Sequence, residues 1–315
     1  MRVIGMDVGG TNVRGAVVDG LGQVLSFTEG KTPRDSVDSL VSAVVEMVGK
    51  LRSDAGGPVE AVGLGFPGLI DFKGGVVRYS PNLPMFRDVA LAGFLRQRLG
   101  LSVFLANDVN VAAIGEKWLG AGKELDDFAL LTLGTGLGSG LIVGGSPFWG
   151  GTGFAAELGH LVVQPDGAPC VCGDKGCLEA YCSAGGLRAR AMSFKASGES
   201  SIMWDMIDDD EDLTPQLIDL AASRGDAVAI GLLSDAARYL GIAIAALADL
   251  VGIRTVLLGG RMVNMRFDIS SAAQDEANRR SICARAGRIS VSRCELGDKA
   301  GSIGAARYAM ACLNG

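Results

Sequence analysis

Two stretches of this chain carry one pattern, and that repeat limits what the chain can fold into. Val3 to Val8, the turn GGTN and Val13 to Val18 run strand, glycine turn, strand. LLTLGTGLGSGLIVGG, residues 130–145, runs the same way 125 positions later, so that Asp7 falls on Thr132, Gly9 on Gly134, Gly15 on Gly140 and Val17 on Ile142. Apolar, β-branched runs broken by glycine turns read as consecutive antiparallel strands. Two copies point to two similar α/β domains; a chance likeness between glycine-rich strands is the alternative.

Gly9 and Gly10 permit unusual dihedrals and close backbone approach, so their turn can offer N–H groups to phosphate oxygens, with Thr11 and Asn12 adding side-chain donors. Asp7 beside bound phosphates makes sense chiefly with a magnesium ion between the negative charges. Two such units would face one nucleotide. An ordinary hairpin is the plainer reading of the motif alone. No G-x-G-x-x-G opens a helix and no G-x-x-x-x-G-K-[ST] occurs, so the two commonest nucleotide folds lose ground.

AELGHLVVQPDGAPCVCGDKGCLEA, residues 156–180, holds the chain's only histidine and three of its seven cysteines. Cys170, Cys172 and Cys177 form C-x-C-x4-C among turn-forming Gly167, Pro169, Gly173 and Gly176, and His160 can supply a fourth ligand. Three thiolates and one imidazole make a closed tetrahedral zinc site. With all four positions filled by protein, such a metal braces a loop and leaves the chemistry to other groups. Glu157 and Glu179, flanking the cluster, are what it would brace. A surface loop of reduced thiols with a packed histidine, flanked by solvated carboxylates, is the competing reading.

At 315 residues and 48% hydrophobic content the chain suits an ordered protein of two domains rather than a disordered one. A formal charge of -6 and no Lys/Arg-rich run offer nucleic acid no footprint. An odd number of cysteines, three assigned to a metal, fits a reducing cytoplasm better than a disulfide scaffold; Cys182, Cys283, Cys294 and Cys312 are expected as buried thiols. The amino terminus enters a strand at once and lacks the h-region of a signal peptide, so a cytoplasmic protein is expected. The uncharged span Phe128 to Ala156 is too rich in glycine, and carries Pro147, to be a membrane helix.

Between the repeats, Ser36 to Leu51 shows helical spacing, Val59 to Gly65 a buried strand, and Val76 to Phe86 an extended segment with prolines on both sides of Asn82. A helix over Leu91 to Leu99, a strand over Ser102 to Ala106 and a helix over Val109 to Leu119 follow. Asn107 and Asp108 fall at that strand's carboxyl end, where α/β enzymes place catalytic groups. Judged alone, Asp108 reads first as the helix N-cap. The acidic run Asp208 to Asp212 reads as solvated surface. Ala227 to Leu250 reads as a core helix leading into a strand, Thr255 to Leu258, then Gly259 and Gly260, which suit either a purine lying on backbone or a plain turn. GSIGAARYAMACL reads as a last helix.

Taken together, DVGGTN, SPNLP, LANDVN, GTGLGSG, ELGH with CVCGDKGCLE, and the late LGG resemble, in order and spacing, the ROK sugar kinases. The likeness covers nearly the whole chain, and ELGH with C-x-C-G-x-x-G-C-L-E is its most specific part. It implies an actin-like, ribonuclease-H-like α/β fold of two domains with the ligand cleft between them: 1–119 with a final helix, 301–315, returning to it, and 120–300 with the zinc loop. ATP with Mg2+ and a hexose would be its ligands, Zn2+ its structural metal. Asp108 matches the general base and Asn107 a sugar-binding neighbour. Gly68 and Asn82 match loops that close over the sugar; Glu157, His160 and Glu179 match contacts to its hydroxyls, His160 being also a zinc ligand. Asp7, Gly9, Gly10, Thr11 and Asn12 match the first phosphate motif, Gly134, Thr135 and Gly136 the second, Gly259 and Gly260 the adenosine site.

The activity so implied is phosphorylation of a primary hexose hydroxyl, glucose first, with fructose, mannose, allose and N-acetylmannosamine as alternatives. Met85 and Phe86 after NLP depart from the Gly and Trp frequent in glucose-specific members. The family's repressors carry an added amino-terminal helix-turn-helix, for which Asp7 leaves no room here; a non-catalytic sugar sensor, which Asp108 argues against, is the reading from another class. Partners are expected to be small molecules and further copies of the chain, as dimer or tetramer, with neither nucleic acid nor membrane. Glu179 is expected to touch the sugar and not the nucleotide.

Overall fold

Arg2–Val8 (β1) alternates little because both of its faces are covered: Val3, Ile4, Met6 and Val8 are all buried. The structure, a computed structural model, describes residues 1–314. β1 pairs antiparallel with β2 (Asn12–Asp19), which pairs with β3 (Val24–Lys31). On its other side β1 runs parallel to β4 (Ala61–Phe66). A small antiparallel sheet of β5 (Leu69–Asp71), β6 (Val76–Tyr79) and β7 (Arg87–Val89) follows. β8 (Ser102–Asn107) completes the main sheet parallel to β4, in the order β3-β2-β1-β4-β8.

The second sheet repeats that plan. It takes β9 (Phe128–Leu133), β10 (Leu137–Val143), β11 (Ser146–Pro147), β12 (Thr255–Gly259) and β13 (Ser290–Arg293) in the order β11-β10-β9-β12-β13. β9 stands where β1 stands, parallel to β12 as β1 is to β4. The 125-residue repeat is therefore structural.

Helices cover these sheets where their apolar spacing requires it. α1 (Val37–Asp54) is capped by Ser36, whose hydroxyl accepts the Ser39 N–H at 3.1 Å, and buries Leu40, Val41, Val44, Val48 and Leu51 in the core that holds Ile4 and Met6. α2 (Leu91–Leu99) ends at Gly100 in the left-handed conformation. α3 (Asp108–Leu119) follows β8 without a loop. In the other half come α4 (Glu179–Cys182), α5 (Ala184–Ala196), α6 (Pro215–Ser223), α7 (Ala227–Val251) and α8 (Ile269–Arg280). α7 is long and apolar enough to cross a membrane, and 56% of that apolar window is buried, as in a core helix.

α9 (Ala300–Leu313) packs on β1, β4 and α3 through backbone. A Cβ on Gly5 would lie 1.8 Å from the Ser302 carbonyl oxygen, one on Gly63 1.8 Å from that of Ala305, and one on Gly304 1.6 Å from that of Val111. Only glycine lets these elements approach so closely.

Two compact units divide the chain: Met1–Asp126, Gly140–Ala156 and Cys294–Gly315 in one, Asp127–Ser139 and Glu157–Arg293 in the other. This division differs from boundaries at 119 and 300. Residues 294–296 belong with the first unit because Glu116, buried near the end of α3, accepts the Leu296 N–H at 2.9 Å and the Glu295 N–H at 3.2 Å. Segment 140–156 does so because Gly140 lies against Val109, Asn110 and Ala113 of α3, and Trp149 stacks on Phe72 at 4.6 Å.

Two local expectations are corrected, while the exposure of Asp208 to Asp212 and the burial of Cys182 agree with the sequence. Val76 to Phe86 is extended only to Tyr79, after which Pro81 to Met85 bends and turns. Cys182 is buried, whereas Cys283, Cys294 and Cys312 are partly exposed, lying in short turns or on the outer side of α9. Asp208 to Asp212 is fully exposed, with Lys195 Nζ 2.7 Å from Asp210.

Candidate active site

The helix cap after β8 is Asn107, not Asp108. Asn107 Oδ1 accepts the N–H groups of Val109 at 2.9 Å and Asn110 at 3.1 Å. Asp108, displaced into the first helical position, accepts the Val109 N–H at 3.0 Å through Oδ1 and is also bonded by its own backbone N–H. No side-chain donor claims its carboxylate. The Asn107 amide also donates to the Gly68 carbonyl at 3.1 Å, tying the strand end to the turn after β4. Gly68 has φ +108, and a Cβ there would meet the Tyr79 carbonyl at 2.2 Å, so backbone geometry alone requires glycine.

Asp7 and Asp108 are two buried carboxylates at the carboxyl ends of β1 and β8. Burial pushes Asp108 up to about 6, opposed by the Val109 N–H. Burial, then repulsion from Asp108, pushes Asp7 up to about 7, with Arg14 pulling the other way. Gly65 sits close to both: its Cβ would lie 3.3 Å from Asp108 Cα and 3.7 Å from Asp7 Oδ1. Gly301, at the start of α9, closes on Asp7 from another side, its Cβ position 2.5 Å from Asp7 Cγ. Two like charges held this way favour a cation between them and the phosphates they would face.

The glycines of the two turns are not there for unusual dihedrals, since none of Gly9, Gly10, Gly134 and Gly136 has positive φ. A Cβ on Gly9, Gly10 or Gly134 would meet protein no closer than 3.2, 3.7 and 3.9 Å respectively. A methyl would be tight at Gly9 and in ordinary contact at Gly10 and Gly134, and its absence lets a ligand come closer to backbone. The Gly9 N–H turns inward to the Asn12 carbonyl at 2.9 Å and the Gly134 N–H to that of Gly136 at 3.0 Å. Gly10 and Thr11 in one turn, Thr135 and Gly136 in the other, hold the remaining amides. Asn12, expected as a side-chain donor to phosphate, donates instead to Glu29 Oε1 at 2.9 Å. Asn82 is exposed and packs beside Gly10, its carbonyl accepting from Arg34 at 3.3 Å.

In the second unit Glu179 Oε2 accepts the Leu137 N–H at 2.7 Å and lies 2.5 Å from the position of a Cβ on Gly136. Glu157 opens the one-turn helix Leu158–His160, and the Leu158 N–H is accepted by Ser139 Oγ at 3.1 Å. Leu137 and Ser139 are contacts the sequence reading missed; only their position just after the glycine turn could have pointed to them. Gly260 has φ +89 and no room for a Cβ, which would lie 2.2 Å from the Leu133 carbonyl, so its glycine has a backbone cause apart from any purine. Asp219, also unforeseen, accepts the Arg266 and Phe267 N–H groups at 2.8 and 2.9 Å and fixes the chain beyond that glycine pair.

His160, Cys170, Cys172 and Cys177 bring one ligand atom each to within 4.8 Å of all the others. Cys172 Sγ and Cys177 Sγ are 3.8 Å apart, as are His160 Nδ1 and Cys170 Sγ. Ligands about 2.3 Å from a tetrahedral centre stand about 3.8 Å apart, so the four fit a zinc ion. Burial, with Cys170 and Cys172 as neighbours, pushes Cys177 up to about 12, and a bound cation would displace that proton and hold the thiolate. Because Nδ1 faces the cluster, His160 keeps Nε2 for another partner.

Residues 3–311 match the ROK family. A glucokinase of Thermotoga maritima is 35% identical over 265 residues, 82% of this chain and 82% of its own. A ROK family glucokinase from Streptomyces griseus, solved with glucose and AMPPNP, superposes with a TM-score of 0.81 at 35% identity over 98% of this chain and 99% of its own. The ROK hexokinase of Thermus thermophilus gives 0.84 at 32% identity over the full length of both. Xylose repressors match as well, at lower identity. The chain belongs to the ROK family, on its sugar-kinase branch, and has that branch's two-domain actin-like fold.

Proposed function

We propose that the chain transfers the γ-phosphoryl group of ATP to the primary 6-hydroxyl of a hexose, glucose first, with Asp108 as general base. One observation carries the reading: Asp108 has been freed from capping by Asn107 and stands at a strand end, bonded only to backbone N–H groups and with a proton affinity near neutrality. A base so tuned is ionised at neutral pH yet basic enough to accept the hydroxyl proton as the oxygen attacks in line. Asn107 fixes its approach. Glu157, His160 through Nε2, and Glu179 accept or donate hydrogen bonds at the other hydroxyls, and the carboxylates suit a polyol because charge-assisted bonds are roughly twice as strong as neutral ones. Gly68 and Asn82 belong to the turns that would cover the sugar.

Gly10, Thr11, Thr135 and Gly136 would offer amides to the phosphates, with Gly259 and Gly260 beside the adenosine. Magnesium, when bound, neutralises charge on the phosphoryl oxygens, and Asp7 is the carboxylate that would hold it, directly or through water. Zinc on His160, Cys170, Cys172 and Cys177 would brace the loop bearing Glu157 and Glu179. A homo-oligomer acting in a reducing cytoplasm completes the reading.

A coupled assay of ADP release, run with glucose, fructose, mannose, allose and N-acetylmannosamine, tests it. Fastest turnover on glucose with ATP is expected. Sugar binding without turnover would make the protein a sensor, and turnover with polyphosphate but not ATP would change the donor.

A further inference from the structure

We infer that Glu179 is a positioning residue for the second phosphate turn, so that the Cys/His knuckle governs nucleotide binding as well as sugar binding. The inference rests on the kinase reading and deepens it. Three hydrogen bonds fasten residues 134–137 to the segment that begins two residues after Cys177: Leu137 N–H to Glu179 Oε2 at 2.7 Å, Ala184 N–H to the Gly134 carbonyl at 2.9 Å, and Gly185 N–H to the Thr135 carbonyl at 3.3 Å. The ELGH segment holds the same stretch from another side, through Leu158 N–H to Ser139 Oγ at 3.1 Å and through Gly159, whose Cβ position is 2.3 Å from the Leu137 carbonyl.

The cluster of His160 with Cys170, Cys172 and Cys177 joins these two segments. His160 closes the ELGH turn, its N–H bonded to the Glu157 carbonyl at 3.0 Å, and Cys177 leads directly into Glu179 through Leu178, whose N–H reaches the Leu161 carbonyl at 2.9 Å. Of the three fastenings, only the one from Glu179 uses a side chain. It is also the one with a formal charge, and it lies beneath Gly136, whose amide is one of those left to meet phosphate. Removing it frees Leu137 and with it the exit of the turn. Glu179 would then serve the nucleotide side as well as the sugar.

The test compares Glu179→Ala and Glu179→Gln with the parent, zinc-loaded and without sugar. Titration calorimetry with AMPPNP is expected to show about tenfold or more loss of affinity in the alanine variant, the range for a lost charge-assisted bond. The glutamine variant, which keeps an acceptor oxygen, is expected to stay within about threefold of the parent, with zinc content equal in all three. Selective ¹⁵N-leucine labelling gives the second readout: one low-field amide in the parent, assigned to Leu137 by its loss in Leu137→Met, should move in Glu179→Gln. It needs no alanine variant, so misfolding of that variant leaves the question decidable. AMPPNP affinity within twofold of the parent in Glu179→Ala, or no leucine amide responding to Glu179→Gln, overturns the inference. If the parent itself binds no AMPPNP, the kinase reading fails and the nucleotide role with it, while the leucine resonance still reports whether Glu179 holds the turn.

Discussion

Asn107 donates its side-chain amide to the Gly68 carbonyl at 3.1 Å while its oxygen caps α3. One side chain therefore sets both the start of the helix that carries Asp108 and the position of the turn after β4. Asn107→Asp should keep the cap and lose the donor, leaving stability to urea within about 1 kcal/mol while the sugar KM rises; Asn107→Ala should lose both, at a cost of roughly 1–2 kcal/mol. Urea unfolding with sugar kinetics separates the two effects, and equal stability of the two variants would remove the cap.

Asp108→Asn should retain sugar binding, since the amide is nearly isosteric, while turnover falls roughly 10²-fold or more. The base must be ionised to act. Because burial raises Asp108 to about 6, kcat/KM of the parent should fall as pH drops through that value. A flat profile between pH 5 and 7, measured at saturating ATP, would assign the base elsewhere.

Asp7 binds its proton more tightly folded than unfolded, with its value raised from 3.8 to about 7. Its contribution favours folding at low pH and is lost as pH rises from about 4 through 7. Asp7→Asn, which cannot ionise, should therefore be more stable than the parent at pH 8, by on the order of 2 kcal/mol without magnesium, and little different near pH 4. Thermal melts across that range would show a widening gap; a constant one would mean that Asp7 is not the titrating group.

Purified protein should contain about one zinc per chain by elemental analysis. Cys177→Ser should lose the metal, whereas Cys182→Ser, five residues on and bonded through Sγ to the Ala236 carbonyl at 3.1 Å, should keep it. Equal zinc in the two variants would dissolve the assigned ligand set.

Gly63→Ala would drive a methyl to 1.8 Å from the Ala305 carbonyl, a contact that only a shift of α9 relieves. A loss of about 3 kcal/mol or more is expected in urea unfolding, where overpacking of a core usually costs 1–3. Gly49→Ala, with nothing within 4 Å, should be neutral or stabilising.

Much of the fold was legible because it is written in local periodicities. The apolar runs at Val3 to Val8 and 130–133, the helical spacing from Ser36, and the 125-residue repeat needed only neighbouring residues to be read. The zinc cluster was equally local: four ligands within eighteen residues, His160 to Cys177, converge because glycines and Pro169 turn the chain tightly between them. What the sequence could not supply was which polar group meets which. Asn107 and Asp108 have equal claims to a cap by residue type, and only the geometry at the end of β8 decided between them. Glu179 and Leu137 are 42 positions apart, and their bond exists because α4 is folded back onto β10. Glu116 likewise reaches Leu296 across 180 positions and ties that segment to α3. Periodicity and motif spacing specify elements and ligand sets, since both depend on near neighbours; hydrogen-bond partners and proton affinities depend on burial and on distant segments, and those are set only when the chain has folded.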